Sequence, residues 1–294
     1  MIPHITDSHS STHALQTFFH YIDRMQSLPN PIGQTGRPPV CRKAFLKSFF
    51  LKTWFRLDSL RKLRRFLKDF PYFSHLCGFS KLPHLATFAR VATWFREEGY
   101  ESIHLETLQR MGLRHTLIAV IDSTALRSSL YDSQAAKGKS TRFSWYKGYK
   151  LHLCINAEGV VLSYAFVPAN RYDSIIAPTV LFALKELDLD IAFILGDAAY
   201  DSKDVRKAAS QIGPQMITPI NKRNGTRKDV YARVMPAFLE TALGDLLFDQ
   251  RNKVERLFHL LKDKGLENPR MFGYHRYRFH VQTMLLMHNI GCLL

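Results

Sequence analysis

Three acidic residues, Asp122, Asp197 and Glu255, stand where otherwise apolar stretches end or turn a polar edge outward. Asp122 follows the run TLIAVI at 116–121, Asp197 follows DIAFILG at 190–196, and Glu255 lies within DQRNKVERLFHLLK at 249–262. The first two are 75 positions apart and the third comes 58 later. Brought together, three carboxylates repel one another unless a divalent cation neutralises them. A donor set made only of oxygen favours Mg2+ or Mn2+ over zinc. Two such ions, about 4 Å apart, can activate water or a 3′-hydroxyl on one side and stabilise the leaving oxygen on the other. That chemistry suits in-line attack on a phosphodiester.

The stretch 249–262 contains no Gly or Pro and is rich in strong helix formers, which predicts a helix. Val254, Leu257, Phe258 and Leu261 recur at helical spacing and form one apolar stripe. Arg251, Glu255 and Lys262 fall on a seam beside that stripe, while Arg256, His259 and Asp263 point towards water. Two readings of the seam stay open on this helix alone. One is an i, i+4 pair of Arg251 with Glu255, worth a few tenths of a kcal/mol. The other is an acid held between two cations at a metal or phosphate site.

The elements that must position these acids follow from patterning. The run at 116–121 predicts a short apolar strand ending on Asp122, and 149–156 (YKLHLCIN) alternates like a half-buried strand. A tight turn at Glu158-Gly159 returns the chain through 160–167 as its hairpin partner. A helix is expected over 173–187 with Asp173 as its N-cap, then a buried strand at 190–196, a helix at 202–212 and a short strand at 215–219. Asp122 and Asp197 thus close two apolar strands, at the carboxyl ends where open α/β sheets place ligand sites.

The first 112 residues read differently. A helix is predicted over 12–25, and 27–39 (SLPNPIGQTGRPP) is punctuated like a linker or extended arm. From 41 to 70 the chain is helical, basic and aromatic, with ten Lys and Arg interleaved among Phe45, Phe49, Phe50, Trp54 and Phe55. The aromatic residues read as core; the basic ones, Arg61, Lys62, Arg64 and Arg65 among them, read as a phosphate-contacting face rather than solvated decoration. A further helix is expected from about 83 to 99.

The whole chain carries 41 Lys and Arg against 25 Asp and Glu, a net charge of +16, and a pI near 9.8. An excess of that size points to a polyanionic partner, because cations set against phosphates release condensed counterions. The apolar fraction of 46% belongs to a globular protein and excludes a disordered one. Cys41, Cys77, Cys154 and Cys292 have no zinc spacing, so reduced thiols and no structural metal are expected. The N-terminal segment lacks signal-peptide character and no apolar run approaches bilayer length, so the reading is cytoplasmic, on the nucleoid, without a membrane partner. The stretch 133–140 (SQAAKGKS) nearly matches a phosphate-binding loop, but Ser133 replaces its first Gly and no apolar strand precedes it. Lys137, Lys139, Arg142, Lys147 and Lys150 read instead as a basic loop beside the acids.

Taken together, IDST at 121–124, KGYKLH at 147–152, ANRYDS at 169–174, GDAAYDS at 196–202 and the block 251–262 resemble the DDE transposases of bacterial insertion sequences. The resemblance runs from about residue 36 to the C-terminus. Its last block carries the signature Tyr-x2-Arg-x3-Glu-x6-Lys on Arg251, Glu255 and Lys262, with Phe248 where the family has Tyr. It implies an α/β, ribonuclease-H-like mixed sheet with flanking helices over 113–294, preceded by a helical, basic DNA-binding region over 1–112. It implies that Asp122, Asp197 and Glu255 are the catalytic metal ligands, holding Mg2+ or Mn2+, two ions. Arg251 and Lys262 would contact DNA at the cut, with Lys147, Lys150, Arg61, Lys62, Arg64 and Arg65 as further DNA contacts. The implied partners are double-stranded DNA, both the element's terminal inverted repeats and the target, and further copies of the chain in a homodimer or larger assembly. A metal-dependent nuclease of the same fold and an inactive DNA-binding derivative are the alternatives.

Overall fold

The computed structural model describes residues 8–28, 41–222, 229–268 and 270–294, so the arm expected at 27–39 lies outside the described residues beyond Leu28. The chain divides into two compact units, residues 1–111 with 278–294, and residues 112–277. The sequence reading assigned everything from 113 onward to the catalytic domain; the structure instead groups the last 17 residues, Arg278–Leu294, with the helical unit. The physical reason is burial, since Phe279, Leu286 and Ile290 belong to the helical unit's core.

That helical unit contains α1 (Ser8–Asp23), α2 (Arg42–Trp54), α3 (Leu60–Asp69), α4 (Pro71–Cys77), α5 (Leu85–Trp94) and α6 (Tyr100–Arg110), with a π-helical turn, Phe95–Gly99, before α6. The helical, basic stretch expected over 41–70 forms two helices, divided after Trp54, where Arg56 takes φ +51 and Ser59 caps α3 by accepting from Lys62 N at 3.1 Å. α2 is buried from Ala44 to Thr53, a helix surrounded by others. Phe49 packs edge-on against Phe279 at 4.9 Å and Phe45 against Phe88 at 5.0 Å. The expected basic face therefore divides in two. Lys47 is buried and paired with Asp23 at 2.7 Å, and Lys52 is buried with its pKa pushed down to about 8 by desolvation. On α3, Leu63 and Leu67 face inward while Arg61, Lys62, Arg65 and Lys68 are exposed.

The second unit is built on a six-stranded sheet: β1 (Ile118–Arg127), β2 (Ala136–Ser140), β3 (Ser144–Asn156), β4 (Val161–Pro168), β5 (Phe193–Leu195) and β6 (Gln215–Ile217). One edge of β3 pairs antiparallel with β1; its other edge takes β2 along 144–148 and β4 along 149–155. β5 and β6 then add in parallel beyond β1. An antiparallel meander of β1, β3 and β4 extended by two parallel strands is the ribonuclease-H-like order. The turn into β4 is held by Asn156 Oδ1, which accepts from Glu158 N and Val160 N, with Gly159 at φ +84. Gly148, paired to both Arg127 and Ala136, has no room for a side chain, because a Cβ would lie 2.0 Å from Leu126 O.

Two expectations change here. The stretch 133–140 contributes a strand, β2, rather than a basic loop. β1 does not stop at Asp122 but continues five residues, because its antiparallel partner β3 outruns the parallel partner β5. One face of the sheet packs on α7 (Asp173–Phe182) and α8 (Lys203–Ile212) through Ala119, Ile121, Ile194, Val180 and Val205. After β6 come α9 (Val230–Leu239), α10 (Ala242–Asp249) and α11 (Asn252–Asp263), and α12 (Tyr274–Leu293) ends the chain. α11 buries Val254, Leu257, Phe258 and Leu261, the stripe read from periodicity. No helix among the described residues is long and apolar enough to cross a membrane.

Candidate active site

The parallel ladder between β1 and β5 ends at the pair Val120–Leu195. Asp122 and Asp197 each stand two residues beyond that pair, Asp122 still within β1 and Asp197 just past the end of β5, capping the 3-10 turn Ala198–Tyr200. Thr124, two residues after Asp122 on β1, accepts from Lys262 Nζ on α11 at 2.5 Å, which ties α11 to that strand. Asp122 Oδ1 accepts from Ser123 N at 2.7 Å, and Asp197 Oδ1 accepts from Ala199 N at 2.8 Å.

Electrostatics ties these elements into one site. The half-buried Asp122 has its pKa pushed up to about 7, first by desolvation and then by Asp197 and Glu255, against opposing help from Ser123 N and Arg251. Asp197 is shifted upward as well, by burial and by Asp173 and Glu255, with Arg251 opposing. The buried Tyr200, just beyond Asp197, has its phenol raised well above 10 by burial and by Asp122, Asp173 and Asp197. Glu255 is more than half exposed, and its carboxylate is engaged by Arg251 Nη2 at 2.8 Å. The Arg251 guanidinium also lies 5.6 Å from the centre of the Phe248 ring, so the residue that departs from the family's Tyr packs against the signature arginine.

Among the described residues no three acids, histidines or cysteines are arranged as a metal cage. The chemistry of the set nonetheless fits a hard divalent cation. Its donors are all oxygen, and two of them are held in a raised-pKa state that a bound cation would relieve.

The other sequence-selected residues fall into different environments. Lys150 is 15% exposed and bonds Asp173 Oδ1 at 3.0 Å and Arg171 O at 3.1 Å. Lys147 Nζ donates to Leu130 O at 2.7 Å. Arg64 Nε donates to Pro83 O at 2.9 Å, and Lys62 pairs with Asp58 at 2.5 Å while remaining mostly exposed. Arg61 and Arg65 are exposed. Asp173 was expected only as a helix cap. It is instead the first residue of α7, after an uncapped Tyr172, and its carboxylate turns to Ser123 and Lys150. Strand alternation could have placed Ser123 opposite Asp122, but nothing local pairs it with Asp173, 50 residues away.

Residues 114–290 match the family described as "Transposase DDE domain", and residues 4–98 match "Transposase domain (DUF772)". No curated protein sequence matches significantly. Among solved structures, the chain is similar to the simian T-cell lymphotropic virus intasome in complex with PP2A regulatory subunit B56 gamma, at 16% identity over 76% of this chain and 74% of the other (TM-score 0.24). It is also similar to the Drosophila P element transposase strand transfer complex (10%, 87% and 66%, TM-score 0.30) and the Mos1 strand transfer complex (13%, 90% and 80%, TM-score 0.23). At those scores the superpositions carry no weight beside the family match. With the transposase DDE domain spanning more than half its length, the chain belongs to the DDE transposases, divalent-metal-dependent enzymes that cut DNA and join its strands.

Proposed function

We propose that Asp122, Asp197 and Glu255 jointly hold the catalytic cations, two Mg2+ ions for which Mn2+ substitutes, in a transposase acting on the terminal inverted repeats of an insertion sequence. The observation that carries this reading is the register of β1 on β5, which sets both aspartates two residues past the last parallel pair with Glu255 and Arg251 in their field. When bound, the cations supply Lewis-acid charge at the scissile phosphate. The protein's own part is orientation. Ser123 N and Ala199 N fix the two aspartates, and because the Asp122 carboxyl is pushed up to about 7, cation binding at neutral pH releases protons from it. Arg251 holds Glu255, and an incoming phosphate competes for the same guanidinium, whose planar fork suits it. Lys262, on the same side of α11, adds a second positive charge beside the DNA backbone.

In this reading the helical unit grips DNA through the exposed Arg61, Lys62 and Arg65 of α3, with Arg64 anchoring the helix to Pro83 O. Lys147, half-buried on β3, adds a further DNA contact from the second unit, and Lys150 serves Asp173. The enzyme works on element ends and target DNA, as a homodimer or larger assembly, on the nucleoid in the cytoplasm. The test is end cleavage and joining on DNA carrying the element's own termini by Asp122→Asn, Asp197→Asn and Glu255→Gln. Each is expected to lose nearly all activity while still binding DNA. Near-normal activity in any one removes that residue from the set, and turnover in excess chelator overturns the mechanism.

A further inference from the structure

The polar groups on the α7 side of β1 take no part in the reaction as described so far. Asp173 Oδ1 accepts from the Ser123 hydroxyl at 3.0 Å and from Lys150 Nζ at 3.0 Å, and His152 Nε2 lies 3.8 Å from it. Asp173 and Lys150 are 19% and 15% exposed, and His152 is wholly buried. Neither nitrogen of the His152 ring has a hydrogen-bond partner, and burial pushes its pKa down to about 4. The ring is therefore neutral near pH 7, and Lys150 is the cation that balances Asp173. Ser123 joins this brace to the site: its hydroxyl binds Asp173 while its backbone N–H donates to Asp122 Oδ1 at 2.7 Å. Consecutive side chains leave a strand on opposite faces. Asp173 thus grips β1 from one face at the residue next to the one that presents Asp122 on the other.

We propose that Asp173 is a positioning residue for DNA cleavage: clamped between Lys150 on β3 and Ser123 on β1, it sets the direction in which Asp122 meets the cation shared with Asp197. This inference rests on the reading of Asp122 and Asp197 as cation-binding residues. The plainer role for an acid in the first turn of a helix is to complement the helix dipole. The hydrogen bonds of the Asp173 carboxylate, however, run to two strands rather than to the N–H groups of its own first turn. Outer partners of metal-binding groups typically contribute 10- to 100-fold in affinity or activity.

The test compares full-length wild type, Asp173→Ala, Asp173→Asn, Lys150→Met, Ser123→Ala and Asp122→Asn, each bound to DNA carrying the element's ends. Single-turnover cleavage is measured beside calorimetric Mn2+ titration of the same complexes. Asp173→Ala and Lys150→Met should slow cleavage by about 10- to 100-fold and raise the Mn2+ half-saturation by about tenfold, with DNA affinity held within about twofold. Asp173→Asn, which keeps an oxygen for Ser123, should recover part of both losses. Losses of Asp173→Ala and Lys150→Met should not add in the double variant, since the two act as one unit. Wild-type cleavage and Mn2+ half-saturation in Asp173→Ala, with only a lower melting temperature, would make the pair a helix support and overturn the proposal. If Asp173→Ala does not fold, Ser123→Ala decides: an unchanged Mn2+ half-saturation overturns the linkage, and a several-fold rise upholds it. Cleavage surviving in Asp122→Asn would instead sink the cation-site reading itself, a result independent of Asp173.

Discussion

Two carboxylates in the β-sheet unit illustrate opposite uses of the same chemistry. Asp132 is 1% exposed, yet its pKa is held below the ordinary value. Burial pushes it up, but four donors outweigh burial: the Ser128 hydroxyl at 2.6 Å, the Tyr149 hydroxyl and Gly273 N at 2.9 Å, and Gln134 N at 3.0 Å. Desolvation, with two acidic neighbours behind it, pushes the Asp122 carboxyl up to about 7, and a single backbone donor opposes them beside the Arg251 guanidinium. A carboxylate that receives its full set of hydrogen bonds holds structure together. One that lacks donors and faces other acids is strained as an anion and poised for a cation. Burial raises both carboxyls; the four donors around Asp132 and the single one at Asp122 set the two apart.

Substituting each acid with its amide puts the contrast to the test. The largest effect is expected for Asp122→Asn or Asp197→Asn, with cleavage falling by roughly three orders of magnitude or more and losses far from additive between them. Assays of the single and double variants check this. Asp132→Asn should show the opposite profile, losing about 3 kcal/mol of stability because several buried donors lose a charged acceptor. Its folded fraction should cleave near the wild-type rate, as chemical denaturation and single-turnover assays can establish. An Asp132→Asn protein that is stable but inactive would abolish the distinction.

Acidity separates the two acids a second way. Asp122 has its folded pKa raised, so metal-free protein carries no penalty from it below about pH 4, and the full penalty, on the order of a few kcal/mol, above about pH 7. Asp132 has its folded pKa lowered, so its contribution is present above about pH 4 and is lost as pH falls through the depressed value. Melting curves in chelator should therefore show Asp122→Asn gaining on wild type as pH rises from 4 to 7. Asp132→Asn should lose less against wild type as pH falls below 4.

A smaller effect on chemistry is expected away from both acids. Reversing Arg61, Lys62 and Arg65 to Glu should weaken DNA binding about tenfold or more at moderate salt and flatten its salt dependence. The cleavage rate within preformed complexes should be unchanged. Binding isotherms at several salt concentrations decide the point, and an unaltered salt slope would place the DNA footprint elsewhere. The smallest effect belongs to Phe248→Tyr: the ring face near Arg251 is retained, so cleavage should stay within about twofold.

Much of the architecture follows from local sequence. The apolar stripe of α11, the β3–β4 hairpin with its Glu158-Gly159 turn, and the apolar runs leading to Asp122 and Asp197 are matters of periodicity and turn chemistry, which involve neighbours only a few residues apart. The family resemblance rests on other local signals, the residue types of the blocks at 121–124, 147–152, 169–174, 196–202 and 251–262. Only tertiary structure decided which charges are buried and what they meet. Lys47 and Lys52 sit inside because α2 is the helix that others surround, which no property of α2 itself announces. Arg278–Leu294 joins the helical unit because its apolar residues complete that unit's core. Asp132 becomes a structural hub, and Asp173 a brace behind Asp122, through partners as distant in sequence as Gly273 and Ser123. Local propensity reports the shape of a segment, whereas the ionisation and role of a carboxylate depend on donors and charges delivered by strand register and helix packing from remote parts of the chain.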